Sequence, residues 1–245
     1  MLPDVERTSF SSDGAVVLVR PARGWIGGMA AAFLTGTFGV GFSILSGAFV
    51  LAGTWEVGVG MLGLAICMFL LTAYVWRDSQ ARRTWRVEME PGELRLDLPA
   101  GRSLMEAGQR MRCFLEVSDI AAIETRLEAF RSFGLANIQR NYGLRMKSGD
   151  LIVLGEDRAL ATGLADVTIG GFVETIRVKT GLPLHDLGMV EGKGGFLGLL
   201  FTSVPSCDAP RVPTAVQNML WRRTVVTGSL AGAVFLTAIL LSVSL

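Results

Sequence analysis

The stretch Gly24 to Trp55, GWIGGMAAAFLTGTFGVGFSILSGAFVLAGTW, carries no charged side chain, and neither does Val57 to Trp76, VGVGMLGLAICMFLLTAYVW; only Glu56 lies between them. A helix rises about 1.5 Å per residue, so roughly 20 apolar residues match a hydrocarbon core about 30 Å thick. Each stretch predicts a membrane-spanning helix, and the two together predict a helical hairpin. A third run, Thr224 to Leu245, is equally free of charge. A buried core helix is the competing explanation. Against it, half of the 245 residues are apolar, mean hydropathy is +0.46, and the charged residues, 18% of the chain, concentrate in one block. A secretory leader fits poorly too. Asp4 and Glu6 accompany Arg7 ahead of the first run, which far exceeds an apolar leader segment of about 7 to 15 residues.

Basic residues predict the orientation. Arg20 and Arg23 precede the first run, Arg77, Arg82, Arg83 and Arg86 follow the second, and Arg222 and Arg223 precede the third, whereas Ala52 to Glu56 has no Lys or Arg. The positive-inside rule then places the N-terminus and the main domain in the cytoplasm of a multi-pass cell (inner) membrane protein, with the tight turn and Leu245 outside. Trp25, Trp55, Trp76 and Trp221 fall at the ends of runs, where an indole favours the headgroup layer. A net charge of +1 argues for no nucleic-acid partner; the lipid bilayer, a membrane or cytosolic protein, or a second copy are the partners expected.

The expected organisation is a cytosolic N-terminal segment (1–24), the hairpin (25–76), a cytosolic domain (77–181), a linker with a short apolar segment (182–221) and a C-terminal transmembrane helix (222–245). Within the domain, Trp85, Val87 and Met89 alternate with Arg86, Glu88 and Glu90, the period of a half-buried strand. Pro91-Gly92 suits a type II turn, and Leu94, Leu96 and Leu98 alternate with Arg95 and Asp97 on the way back. Further strands are read at Arg112 to Val117, Tyr142 to Met146 and Leu151 to Leu154. From Asp119 to Phe130 the residues suit a helix or a strand equally, and periodicity leaves both open. Ile169, Phe172, Val173, Ile176 and Thr180 recur at helical spacing, with Gly181 as a helix-ending glycine and Pro183 just beyond. Ala15 to Arg20 is expected to add an edge strand to the cytosolic sheet.

A run of strands closed by one helix after a membrane hairpin resembles the bacterial membrane-associated PH-like domains. The resemblance rests on Trp85 to Leu98, on Val117-Ser118-Asp119-Ile120-Ala121-Ala122-Ile123-Glu124, and on Arg131-Ser132-Phe133-Gly134 leading into Tyr142-Gly143-Leu144-Arg145, and it spans Arg83 to Gly181. It implies a small bent antiparallel sheet closed at one end by a helix, and it turns Asp119 to Phe130 toward strand. The third run and the segment Leu182 to Leu220 depart from that pattern.

Motifs for covalent chemistry fail one by one. Gly58-Val59-Gly60-Met61-Leu62-Gly63 spells a dinucleotide fingerprint inside the second run, where no strand precedes it. The glycines around Lys193 lack the phosphate-loop spacing. His185 is the only histidine, and Cys67, Cys113 and Cys207 lack zinc spacing, so no metal or cofactor is expected; a Cys207 and His185 dyad is the residual nucleophile. Glu124 and Glu128, Glu88 and Glu90, and Glu156 and Asp157 neighbour arginines and read as solvated faces. Phe196 to Phe201 is too short to span; it packs on the domain's core, dips into the leaflet or covers a groove on a partner.

The runs contain no Asp, Glu, Lys, Arg or His, which argues against a transport path. They do contain small residues at four-residue spacing, Gly39, Ser43 and Gly47 in the first and Gly228 and Gly232 in the third, expected to let helices approach closely. The function expected is that of a non-catalytic, PH-like interaction module on a membrane anchor. The rival expectations are an accessory subunit of a transporter or envelope-biogenesis system, and an interfacial lipid enzyme using Asp119, Glu124 or His185.

Overall fold

In a computed structural model the described residues are 8–10, 15–99, 109–132, 135–158, 168–191, 210–226 and 229. They form β1 (Thr8–Phe10), β2 (Val16–Val19), α1 (Ala22–Leu51), α2 (Trp55–Thr84), β3 (Arg86–Glu90), β4 (Glu93–Leu98), β5 (Met111–Glu116), β6 (Ile120–Ser132), β7 (Leu135–Met146), β8 (Leu151–Asp157), α3 (Thr168–Thr180) and β9 (Leu184–Glu191). A further helix, α4, covers 214–226. The strands make a five-stranded sheet in the order β1-β2-β3-β4-β5 and a four-stranded sheet in the order β8-β7-β6-β9.

α1 and α2 are each 30 residues, long and apolar enough to cross a membrane, with only 11% of their most apolar windows buried. Phe33 (80% exposed) and Leu51 (91%) typify the apolar surface they present outward. Their turn is closed by backbone geometry. Gly53 takes φ 81°, its N–H donates to Val50 O, and the Thr54 N–H donates to Phe49 O, the bond pair of a Schellman ending. Both helices outrun the expected boundaries, α2 reaching Thr84, so its last turns stand beyond Trp76.

The seam between the helices follows a seven-residue step: Ala32, Gly39 and Ser46 are buried on α1, facing Gly58, Ala65 and Ser79 on α2. A Cβ on Gly39 would lie 2.9 Å from the Phe69 ring, and one on Gly58 would lie 2.5 Å from Val50 Cγ2 and 3.1 Å from Ser46 O. The Ser46 hydroxyl donates to Gly58 O at 2.7 Å, and the Thr35 and Thr72 hydroxyls meet at 2.9 Å. Of the three packing residues expected on α1, Gly39 lies in the seam. Ser43 is half-buried and bonds back to Gly39 O, while Gly47 is exposed with nothing near it. At about 100° per residue, seven residues return to within roughly 20° of the starting direction and eight overshoot by about 80°. Ser46, not Gly47, therefore continues the seam.

The α/β region is threaded by this hairpin. β2 leads into α1 through Arg20-Pro21, α2 leads into β3 through Trp85, and β2 pairs antiparallel with β3, Val19 against Arg86. Ala15 to Arg20 thus supplies an interior strand, since β1 covers its other side. The β3–β4 hairpin turns at Pro91-Gly92 with Gly92 at φ 86°, as a type II turn requires. Val87, Met89, Leu94, Leu96 and Leu98 are buried as their alternation predicts, and they share one core with Ile123, Leu144, Leu154 and the inner face of α3. Of the stretch Asp119 to Phe130, Ile120 onward is strand, and Asp119 closes a 3-10 turn at Val117–Asp119 that precedes it. Cross-strand pairing with β7 over the whole length of β6 supplies the hydrogen bonds that a lone amphipathic helix would have made internally.

The linker expected over 182–221 is corrected. Leu184–Glu191 is β9, parallel to β6, with a register shift where Gly188 takes φ 79°. Val212 N–H donates to Met189 O, and α4 starts after Pro213, burying Leu220 against Ala129, Ile138 and Met189. A sheet edge and an apolar patch at the far end of β6 are what these residues cover. The α4 helix also begins earlier than the expected 222–245 span; most of that span, with Gly228 and Gly232, lies outside the described residues, as do Phe196 and Phe201.

Candidate functional site

The second sheet has one apolar face and one that alternation makes polar. Arg126 and Glu128 on β6 share the polar face with Gln139 and Asn141 on β7, and the register sets Arg126 beside Asn141 and Asn141 beside Glu156 of β8. Contrary to the expectation of solvated carboxylates, this face is buried: Arg126 is 6% exposed, Glu128 2%, Gln139 3% and Asn141 6%. Arg126 Nη2 donates to Glu128 Oε1 at 2.9 Å. Burial pushes the Glu128 carboxyl up, and the Arg126 charge opposes this only in part. Buried ions are costly unless paired, so the Arg126–Glu128 pair offsets a desolvation cost rather than adding much stability.

At the β8 edge the network reaches the hairpin. Arg158 Nη1 lies 2.7 Å from Asp78 Oδ1 and its Nη2 2.6 Å from Glu156 Oε1, while Arg82 Nε donates to Asp78 Oδ2 at 3.0 Å. Burial would raise the Asp78 carboxyl, but Arg158 and Arg82 outweigh it and hold it below the usual range. Burial disfavours the Arg158 charge, yet Glu156 and Asp78 hold it protonated above its ordinary value. Asp78 and Arg158 escaped sequence reasoning; the available clue was one acidic residue inside a basic stretch at the end of a span.

One residue further along β8, Asp157 ties the same strand to α3. Its carboxylate accepts from the Ile169 N–H at 2.9 Å and the Gly170 N–H at 3.1 Å, and from the Tyr142 hydroxyl at 3.0 Å. Burial and the Asp157 charge both push the Tyr142 phenol upward. A Cβ on Gly170 would come within 2.6 Å of that hydroxyl, so glycine there lets the helix start approach the cap. Trp85 completes the junction, stacked on Phe172 at 4.9 Å and donating from Nε1 to Leu154 O at 2.7 Å.

The residues expected at the interface divide. Trp25 sits beneath the Arg83 guanidinium, 5.4 Å from its ring centroid, and Trp55 and Trp76 are exposed on the hairpin. Trp221 is half-buried and packs on the cluster around Leu220, while Arg222 and Arg223 are exposed on α4. Of the carboxylates suggested for catalysis, Glu124 stands beside His185 in the β6–β9 register, but both its oxygens are taken by Arg145, at 2.9 and 2.8 Å; Asp119 sits in the exposed turn just before β6. Burial pushes the Cys113 thiol up, the wrong direction for a nucleophile. Cys207 lies outside the described residues, and among the described residues no group of three or more metal-ligating side chains gathers.

The fold and the junction together define a chain with two apolar helices of membrane-spanning length threaded into an α/β region of two mainly antiparallel sheets. No family model, curated protein or solved structure matches it.

Proposed function

We propose that the chain is an integral protein of a bacterial-type cell membrane whose cytoplasmic region is a non-catalytic, PH-like interaction module serving a membrane complex. One observation carries this reading. The hairpin is inserted between two paired strands, Val19 against Arg86, with two residues at one junction and one at the other. A domain so joined has no tether in which to swing, and Asp78, Arg158 and Trp85 brace the joint further. It is suited to hold a binding surface at a fixed height above the bilayer.

The strand order supports the PH-like part: β2 to β5 antiparallel in one sheet, β6 to β8 antiparallel in the next, and α3 following. The β1 strand, β9 and α4 are additions to that order. Arginines at the α1 start and the α2 end, against an uncharged turn at Ala52 to Thr54, support a cytoplasmic placement. Two observations support the non-catalytic part of this reading: both Glu124 oxygens are taken by Arg145, and burial pushes the Cys113 thiol up.

The test is a mild-detergent pull-down of the full chain from its native membrane, beside a chain ending at Val226 that keeps α4 on the sheet. A stoichiometric partner held by both chains supports a module that binds through its cytoplasmic region. A partner lost on truncation moves the contact to residues 227–245. No stoichiometric partner with either chain would sink the interaction reading.

A further inference from the structure

β5 is the outermost strand of the first sheet, in unbroken register with β4 from Glu93 opposite Glu116 to Leu98 opposite Met111. Val117 N–H donates to Gly92 O at 2.8 Å, which fixes the direction of every backbone group along the strand. In an antiparallel ladder that direction alternates, so the N–H and C=O of Arg112, Phe114 and Glu116 point away from β4. Among the described residues no strand pairs with them. The same three residues are exposed, Phe114 at 68%, with Arg95 holding the Phe114 ring at 4.7 Å from its centroid. On the opposite face Cys113 and Leu115 are only partly buried against the core. Native edges are commonly blunted by charged side chains, proline or a bulge; β5 has no proline and no bulge, and its two outward charges, Arg112 and Glu116, are of opposite sign.

We propose that this edge pairs with the β5 strand of a second copy of the chain, about a two-fold axis at Phe114. The order of the charges carries the choice of partner. Antiparallel pairing centred on Phe114 sets Arg112 of each copy opposite Glu116 of the other, so the strand is complementary to itself in charge. The two Phe114 rings then stand opposite one another on the outer face. Each copy contributes three outward N–H groups and three outward carbonyls, enough for about six backbone hydrogen bonds. Cys113 of each copy faces Leu115 of the other and completes its burial. The contact is isologous and closes at two copies.

The full chain in mild detergent is expected to run as a dimer by light scattering. Arg112→Glu places like charges opposite at both ends and is expected to weaken association roughly 10- to 100-fold, and Arg112→Glu with Glu116→Arg restores it. The double variant keeps any cost of losing Arg112 beside Asp97, so restoration isolates the contact between copies. Should the charge variants misfold, Phe114→Cys with Cys67, Cys113 and Cys207 changed to Ser decides. Directly opposed residues of a hydrogen-bonded pair stand about 5.5 Å apart at Cα, within disulfide range, so oxidation in membranes is expected to yield a covalent dimer and the same chain with Arg110→Cys instead of Phe114→Cys is not. A monomeric wild-type chain, a dimer indifferent to Arg112→Glu, a folded double variant that stays monomeric, or no Phe114→Cys cross-link would each overturn the proposal.

Discussion

Asp78, near the end of α2, lies 2.7 Å from the Arg158 guanidinium just beyond β8, and this ion pair joins the apolar hairpin to the second sheet. Removing one member of a largely buried pair strands the other. Asp78→Asn is therefore expected to destabilise the chain by about 1 to 3 kcal/mol. The Asp78 carboxyl is depressed in the folded protein, so its contribution is fully present above the ordinary aspartate value of about 4 and is lost as pH falls through the lower, folded value. Thermal unfolding of both chains in detergent should show the gap narrowing as the pH is lowered into that range. A gap that is constant with pH would mean the pair is not what the substitution removed.

The helical seam makes a paired prediction. Gly58→Ala drives a methyl against Ser46 O and Val50, and it is expected to cost about 1 to 3 kcal/mol. Gly47→Ala adds a methyl into open space inside α1 and should leave stability unchanged or raise it by up to about 1 kcal/mol, because alanine is the better helix residue. Equal losses at the two positions in a detergent thermal-shift assay would refute the seven-residue seam.

Asp157 caps α3 and receives the Tyr142 hydroxyl at once. Asp157→Ala removes both, leaving a buried phenol and a helix start without an acceptor, for a loss of about 2 to 3 kcal/mol. Tyr142→Phe removes one bond and should cost about 1 kcal/mol. Chemical denaturation of the two variants measures the ratio; a larger loss for Tyr142→Phe contradicts the cap as the principal role.

Leu220 is buried at 1% exposure where α4 lies on the second sheet. Leu220→Ala is expected to cost about 2 to 5 kcal/mol and to speed amide exchange in β6 near Ala129 and β7 near Ile138. Leaving exchange there unchanged would show that α4 does not hold that end of the sheet.

How much was legible varies by element. Val87, Met89, Leu94 and Leu96 declared their strands through strict alternation around a Pro-Gly turn, and Ile169, Phe172, Val173 and Ile176 declared α3, whose last turn closes with Gly181 N–H on Arg177 O. β9 did not declare itself, because its eight residues are bent by Gly188 and leave only Met189 and Val190 buried at one end. Glu128 was misread for a related reason. A polar alternation specifies a face, and whether that face meets water depends on what the rest of the chain lays over it.

Local periodicity, turn chemistry and run length by themselves determined the two apolar helices, the β3–β4 hairpin and α3, since each is set by interactions within a few residues. Only the tertiary structure decided that Ser46 rather than Gly47 joins the seam, that Asp78 meets Arg158, and that β9 and α4 complete the second sheet. Those outcomes depend on which residues, up to 80 positions apart in the case of Asp78 and Arg158, are brought within ångströms of each other. No window of the sequence contains both partners.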